Sequence, residues 1–226
     1  MKARKERALV VGSVHTPRGL RAATALRKGQ GIDVVEVRLD CLAKQESKIA
    51  FLLKRIRLPI LLTARHPGEG GAAGLSAPRR RQLLETFLPF ASIIDIELRS
   101  AEVFADVLAA ARKHRLGIVL SYHNFSLTPS TDALAETQRK ARRLGADICK
   151  IAVRMRNATD LARLLGIQAV ARHPLATMGM GPLGKVSRLV LPMAGSRLVY
   201  GYIDRPQVAG QWPAGLLAER LREVVP

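Results

Sequence analysis

A lysine, a histidine and a set of arginines and carboxylates interrupt otherwise apolar runs of this chain, and their types suit nucleophilic and acid–base chemistry. Lys150 lies in the run Asp147–Val153 and His123 near the end of the run before it, Gly117–Asn124. A primary amine condenses with a ketone to an imine, which when protonated draws electrons from the adjacent carbon far better than the ketone does. Imidazole titrates nearest neutrality and suits repeated proton transfers. Glu36 and Arg38 are two residues apart and share one face of a strand. Arg65 ends a third run, Asp95 and Glu97 occupy a fourth, and Ser121 accompanies His123. Each residue alone also has a plainer role. Lys150 suits an ion-paired strand lysine with Asp147 as partner, His123 a hydrogen-bonded structural histidine, Glu69 a loop carboxylate and Arg188 a surface arginine. Charges inside Val/Ile/Leu strands are costly unless paired. On one strand an orienting ion pair explains them; on five strands in succession a polar site is the better account.

The elements that must position these groups repeat along the whole chain. Short β-branched runs occur at Ala8–Val14, Asp33–Asp40, Pro59–Arg65, Ser92–Leu98, Gly117–Asn124, Asp147–Val153, Ile167–Arg172 and Arg197–Ile203. They read as strands buried on both faces. Between them Arg18–Lys28, Gln45–Arg55, Pro78–Phe87, Ala101–His114 and Asp132–Leu144 have helical composition. Pro78 and Pro213 suit a first helical turn, and Gly29, Gly117, Gly145 and Gly166 suit helix stops. The stretch Met178–Met193, rich in Gly and Pro, is the poorest helix. Eight strand–helix units without a GxGxxG after the first strand predict a closed (β/α)8 TIM barrel rather than an open dinucleotide-binding sheet, one domain over residues 1–226. Such barrels carry their chemistry at the carboxyl ends of the strands, where the polar residues gather.

Composition narrows the classes. With 226 residues and 48% hydrophobic content the chain reads as a globular protein with one well-buried core. The basic segment Met1–Arg7 lacks the apolar stretch of a secretory signal, and no run approaches a membrane span, so a cytoplasmic protein is expected. Cys41 and Cys149 form no CxxC pair and read as reduced, packed thiols; the five histidines show no zinc spacing, so no metal is expected. A formal charge of +19, from 37 Lys+Arg against 18 Asp+Glu, attracts anions. Arg79-Arg80-Arg81, Arg112-Lys113, Arg139-Lys140 and Arg142-Arg143 read as solvated helix faces, and 4% aromatics leaves few stacking platforms for nucleic acid.

Several stretches together are similar to the type I 3-dehydroquinate dehydratases. They are Glu36-Val37-Arg38-Leu39-Asp40, Thr63-Ala64-Arg65 with Glu69-Gly70-Gly71, and Asp95-Ile96-Glu97-Leu98. Ser121-Tyr122-His123-Asn124-Phe125 with Thr128-Pro129, and Gly145 to Ala152 around Lys150, follow in order. Met180-Gly181-Pro182-Leu183-Gly184-Lys185-Val186-Ser187-Arg188 resembles the family's glycine-rich segment, and Gly210-Gln211 its C-terminal Gly-Gln. The resemblance implies cofactor-free conversion of 3-dehydroquinate to 3-dehydroshikimate and water in the shikimate pathway, with Lys150 as Schiff-base lysine. It makes His123 the general acid/base, oriented by Glu69 as in catalytic triads. Glu36, Arg38 and Arg65 would hold substrate hydroxyls and the ring, Arg188 the carboxylate, and Gln211 a contact from a closing loop. Gln207 stands where the family usually has a small hydroxyl residue, so the geometry of that loop is open. The resemblance assigns no role to His15, His66, His114 or His173, which read as structural. A homodimer is common in the family. Competing readings are a Schiff-base barrel lyase of the class I aldolase type and a basic nucleic-acid-binding barrel.

Overall fold

The computed structural model describes residues 7–72 and 74–224; most of the basic segment Met1–Arg7 lies outside them. Among the described residues eight parallel strands form a (β/α)8 barrel: β1 Leu9–Val14, β2 Val34–Arg38, β3 Ile60–Thr63, β4 Ile93–Glu97, β5 Gly117–Asn124, β6 Ile148–Arg154, β7 Leu175–Met180 and β8 Leu198–Tyr202. Each strand from β1 to β7 pairs with the next in sequence, and β8 pairs with β1. The helices are α1 Pro17–Ala23, α2 Leu39–Leu42, α3 Glu46–Leu53, α4 Ala77–Phe87, α5 Ala105–Lys113, α6 Thr131–Arg143, α7 Ala158–Ala169, α8 Gly184–Met193 and α9 Ala214–Val224. Side-chain oxygens of Thr16, Ser76, Ser130 and Asn157 cap the first turns of α1, α4, α6 and α7.

Alternation along the strands divides the apolar residues between two cores. Val35, Val37, Leu62, Ile94, Ile96, Ile118, Leu120 and Ile151 point outward and pack against the helices. Val11, Val34, Leu61, Val119, Ala176 and Leu198 point inward and fill the barrel below its carboxyl end. Above that layer the same inward parity continues as Glu36, Arg38, Asp95, Glu97, Ser121 and Lys150, all buried. The pleat that builds the core therefore also delivers the polar residues to one place.

The seventh unit differs from the sequence expectation. Ile167–Arg172 is no strand: Ile167 is buried in α7, Gly166 sits inside that helix, and the seventh strand is Leu175–Met180. Strong helix formers ahead of it, Leu161, Leu164 and Leu165, outweigh the short Ile-Gln-Ala-Val run. Met178–Met193 accordingly divides into the end of β7, a turn and α8. The helix stops also need adjusting: Gly145 takes the left-handed conformation after α6, but Arg115, not Gly117, does so after α5. Gly117 instead opens β5.

The barrel closes least completely between β7 and β8, which share no ladder. Arg197 N donates to Leu175 O at 2.9 Å, and the buried Ser196 hydroxyl accepts from Thr177 N at 2.9 Å. Higher up the same seam, Arg188 on α8 inserts its guanidinium. Nε donates to Tyr200 O of β8 at 2.9 Å and Nη1 to Gly179 O of β7 at 2.7 Å. Carbonyls that a ladder would otherwise satisfy are thus stapled by a side chain.

Candidate active site

Lys150 projects inward from the middle of β6. Its Nζ donates to Asp95 Oδ2 at 2.9 Å, lies 3.9 Å from Glu36 Oε1, and stands 4.0 Å from the centre of the Tyr200 ring. Asp95, not Asp147, is the partner; Asp147 instead accepts from Ile118 N. Asp95 also receives both Nη atoms of Arg65, at 2.9 and 2.8 Å, and the Ser121 hydroxyl at 2.6 Å. Burial alone would push the Asp95 carboxyl up, but Arg65 and Lys150 outweigh it and hold the group well below the usual range. Glu36 is fixed by the Ser13 hydroxyl at 2.6 Å and the Thr63 hydroxyl at 3.0 Å.

Arg65 belongs to a longer chain of charges. Its Nη1 also meets Glu97, whose second oxygen accepts from Arg80 Nη1 at 3.0 Å and the Ser100 hydroxyl at 2.9 Å. Arg80 was expected on a solvated helix face; it is 2% exposed and lies over the Phe104 ring. Its neighbours Arg79 and Arg81 do face outward, pairing with Glu46 and with Glu85 and Asp106.

His123 leaves β5 with its ring against Glu69. Nδ1 and the backbone N of His123 both lie 3.0 Å from Glu69 Oε2. Glu69 sits in a one-turn helix, Pro67–Glu69, that ends on Gly70 in the left-handed conformation. The Gly70-Gly71 pair lets this turn fold tightly: a Cβ on Gly71 would lie 2.2 Å from Arg65 O, and one on Gly70 2.6 Å from the Phe125 ring. Burial raises the Glu69 carboxyl to about 7. Burial, then the charges of Arg65 and Lys150, hold the His123 imidazole well below its usual 6.5. The ring is therefore neutral at neutral pH, with Nδ1 engaged and Nε2 free to exchange a proton.

The remaining predicted residues surround the mouth. Arg38 is clasped by Asp40 through Nε and Nη2 at 2.9 and 2.7 Å, and Nη1 donates to Gln207 Oε1 at 2.8 Å. Gln211 Oε1 accepts from Gln207 N at 2.7 Å and so shapes the loop after β8. Next to it Trp212 Nε1 donates to Lys185 O, and the Lys185 ammonium lies over the indole. Arg188 lines the cavity while Nη1 also reaches Gly184 O and Gly210 O, both at 2.9 Å. It has no carboxylate partner among the described residues, and burial brings its guanidinium down to about 10.

These side chains enclose a cavity of about 500 Å³ at the carboxyl end of the barrel. All nine candidate residues, Lys150, His123, Glu69, Glu36, Arg38, Arg65, Arg188, Gln207 and Gln211, line it. So do Ala152, Met178, Met180 and Tyr200, for which the sequence suggested no site role, and His15, which it assigned a structural one. Parity was the available signal, since Ser13 and His15 continue the inward face of β1, and Met178, Met180 and Tyr200 those of β7 and β8.

Comparison with known proteins agrees with this geometry. The family model for type I 3-dehydroquinase matches residues 10–224. The 3-dehydroquinate dehydratase of Methanocella arvoryzae is 36% identical over 214 residues, covering 94% of this chain and 95% of the relative. That of Hydrogenobaculum is 33% identical over 190 residues, covering 82% and 86%. Among solved structures, the 3-dehydroquinate dehydratase of Geobacillus kaustophilus superposes with a TM-score of 0.85 at 29% identity, covering 96% of this chain and 91% of its own. A barrel with this inward polar layer, matched over nearly its whole length by that family, belongs to the type I 3-dehydroquinases.

Proposed function

We propose that this chain dehydrates 3-dehydroquinate to 3-dehydroshikimate through a Schiff base on Lys150. The observation that carries the mechanism is the buried Nζ of Lys150, one strand from His123 and enclosed with Arg188 in one cavity. The Lys150 ammonium yields a proton to His123, the freed Nζ adds to the substrate ketone, and return of that proton to the departing hydroxyl releases water and leaves the protonated imine. His123, neutral and held through Nδ1 by Glu69, takes the proton from the adjacent carbon onto Nε2. The electron pair moves into the imine to give an enamine. Its return expels the β-hydroxyl, which leaves as water with a proton returned from the imidazolium. Hydrolysis of the imine then releases the product ketone and frees Lys150.

Substrate recognition follows from which charges the protein leaves unpaired. Arg38 and Arg65 carry carboxylate partners, whereas Arg188 holds only carbonyls. It therefore takes the substrate carboxylate, the anion that its burial otherwise lacks. Glu36 and Arg38 hold ring hydroxyls, and Arg65 sets Asp95 beside the imine nitrogen. Gln207 and Gln211 close the loop after β8 over the ligand. No helix among the described residues is long and apolar enough to cross a membrane; the enzyme works in the cytoplasm, in the shikimate pathway, without metal or cofactor.

Borohydride reduction in the presence of 3-dehydroquinate, followed by peptide mapping, tests the mechanism. A substrate adduct on Lys150 is expected, absent in Lys150→Ala and in Lys150→Arg. Turnover without any trapped adduct would overturn the Schiff-base route, and carbon–carbon cleavage products would point to an aldolase.

A further inference from the structure

His15 is the cavity residue for which the mechanism above has no use. It follows β1 by one residue and continues the inward series Leu9, Val11, Ser13. Its ring lines the cavity near Glu36, Arg38 and the loop after β8. Nδ1 is buried without a hydrogen-bond partner, and among the described residues Nε2 bonds to no protein group either. Nδ1 is sealed inside the wall, whereas the unbonded Nε2 keeps accessible surface, so Nε2 is the ring nitrogen that a ligand in the cavity can reach.

The surroundings define the ligand group. The charges facing His15 are Asp204, Arg205, Arg38 and Glu36. Burial foremost, with the two arginines, keeps the imidazole neutral against the pull of the two carboxylates. A neutral ring has one donor and one acceptor nitrogen, so the group that satisfies Nε2 in either tautomer is a hydroxyl. A carboxylate fits only one tautomer and has Arg188 elsewhere in the cavity. Strand β1 stands across the barrel from β5 and β6, which carry His123 and Lys150. A ring bound with its ketone at Lys150 thus turns its vicinal C4 and C5 hydroxyls toward Glu36, Arg38 and His15.

We propose that His15 is a further substrate-binding residue, its Nε2 hydrogen-bonding one of the two vicinal hydroxyls of the substrate ring. The proposal rests on the reading of this cavity as the dehydroquinate site and adds a residue to it. Steady-state kinetics of His15→Ala and His15→Gln with 3-dehydroquinate and its 4-deoxy and 5-deoxy analogues provide the test. His15→Ala is expected to raise KM about five- to tenfold with kcat within about twofold, as for one lost hydrogen bond. His15→Gln, which keeps a donor and an acceptor, is expected to recover part of that loss. One deoxy analogue is expected to show no KM difference between wild type and His15→Ala, while the other keeps it. A KM unchanged within about twofold, or an equal rise for all three substrates, would overturn the assignment. So would a loss confined to kcat. If His15→Ala does not fold, the same comparison of wild type with His15→Gln decides. Failure of wild type to form the Lys150 adduct would instead sink the reading of the cavity, so the two failures are distinguishable.

Discussion

At the scale of single residues, the site is a row of charges each of which holds the next. Lys150, Asp95, Arg65, Glu97 and Arg80 form one continuous buried chain. Removing one partner leaves a buried charge uncompensated. Asp95→Asn is therefore expected to lower stability by about 3–5 kcal/mol and to cut kcat at least about tenfold, measured by denaturant unfolding and initial rates. His123→Ala is expected to lose about 10²–10⁴ in kcat while the lysine adduct still forms slowly. That the candidate residues gather in one cavity was legible in the sequence, because charged side chains at inward positions have no other cheap location. Their partners were not. Asp147 is three residues from Lys150 and Asp95 is fifty-five away, and only the strand register brings the distant one into contact. Arg80 was hidden for the same reason, since its acceptor Glu97 lies on the following strand.

At the scale of elements, the seam between β7 and β8 links stability to binding. Arg188 spans it, and the loop carrying Gly210 rests on the first turn of α8 through the same guanidinium. Gly184 and Gly210 make that contact possible, since a Cβ on Gly184 would stand 2.8 Å from Gly210 Cα. Gly184→Ala is expected to lift the loop, raising KM at least about tenfold and costing about 1–3 kcal/mol, with chemistry at Lys150 retained. A normal KM in this variant would show that the loop does not bear on the ligand. Seven of the eight strands could be read straight from periodicity. The seventh could not, because an Ile-Gln-Ala-Val run of strand composition is the end of a helix, and β7 begins only after Pro174.

At the scale of the whole molecule, buried charges largely offset one another and the surface carries the basic excess. Glu36, Asp40, Asp95 and Glu97 are buried together with Arg38, Arg65, Arg80 and Lys150, whereas Arg112, Lys113, Arg139, Lys140, Arg142 and Arg143 face solvent. An anionic substrate approaches a surface of net charge +19. Screening shortens that attraction to about 10 Å at 0.1 M salt, so kcat/KM is expected to fall severalfold between low and high salt with kcat nearly constant. Glu69 gives a second signature. Its folded carboxyl is raised from 4.5 to about 7, so the folded state is favoured by the protonated form. That contribution is complete below pH 4.5 and is lost as pH rises through 7. Relative to wild type, Glu69→Gln is expected to gain about 1–3 kcal/mol of unfolding free energy between pH 4.5 and pH 8. A constant difference across that range would remove the basis for a destabilised carboxylate.

The bond between Arg38 and Gln207 has a kinetic corollary. It ties the loop after β8 to the end of β2, two strands away around the mouth, so an incoming molecule meets a door already on the latch. Entry then needs an opening event that no rise in ligand concentration accelerates, and the observed association rate must level off. The chain carries its own reporter of that event, because its single indole, Trp212, adjoins Gln211 in the same loop.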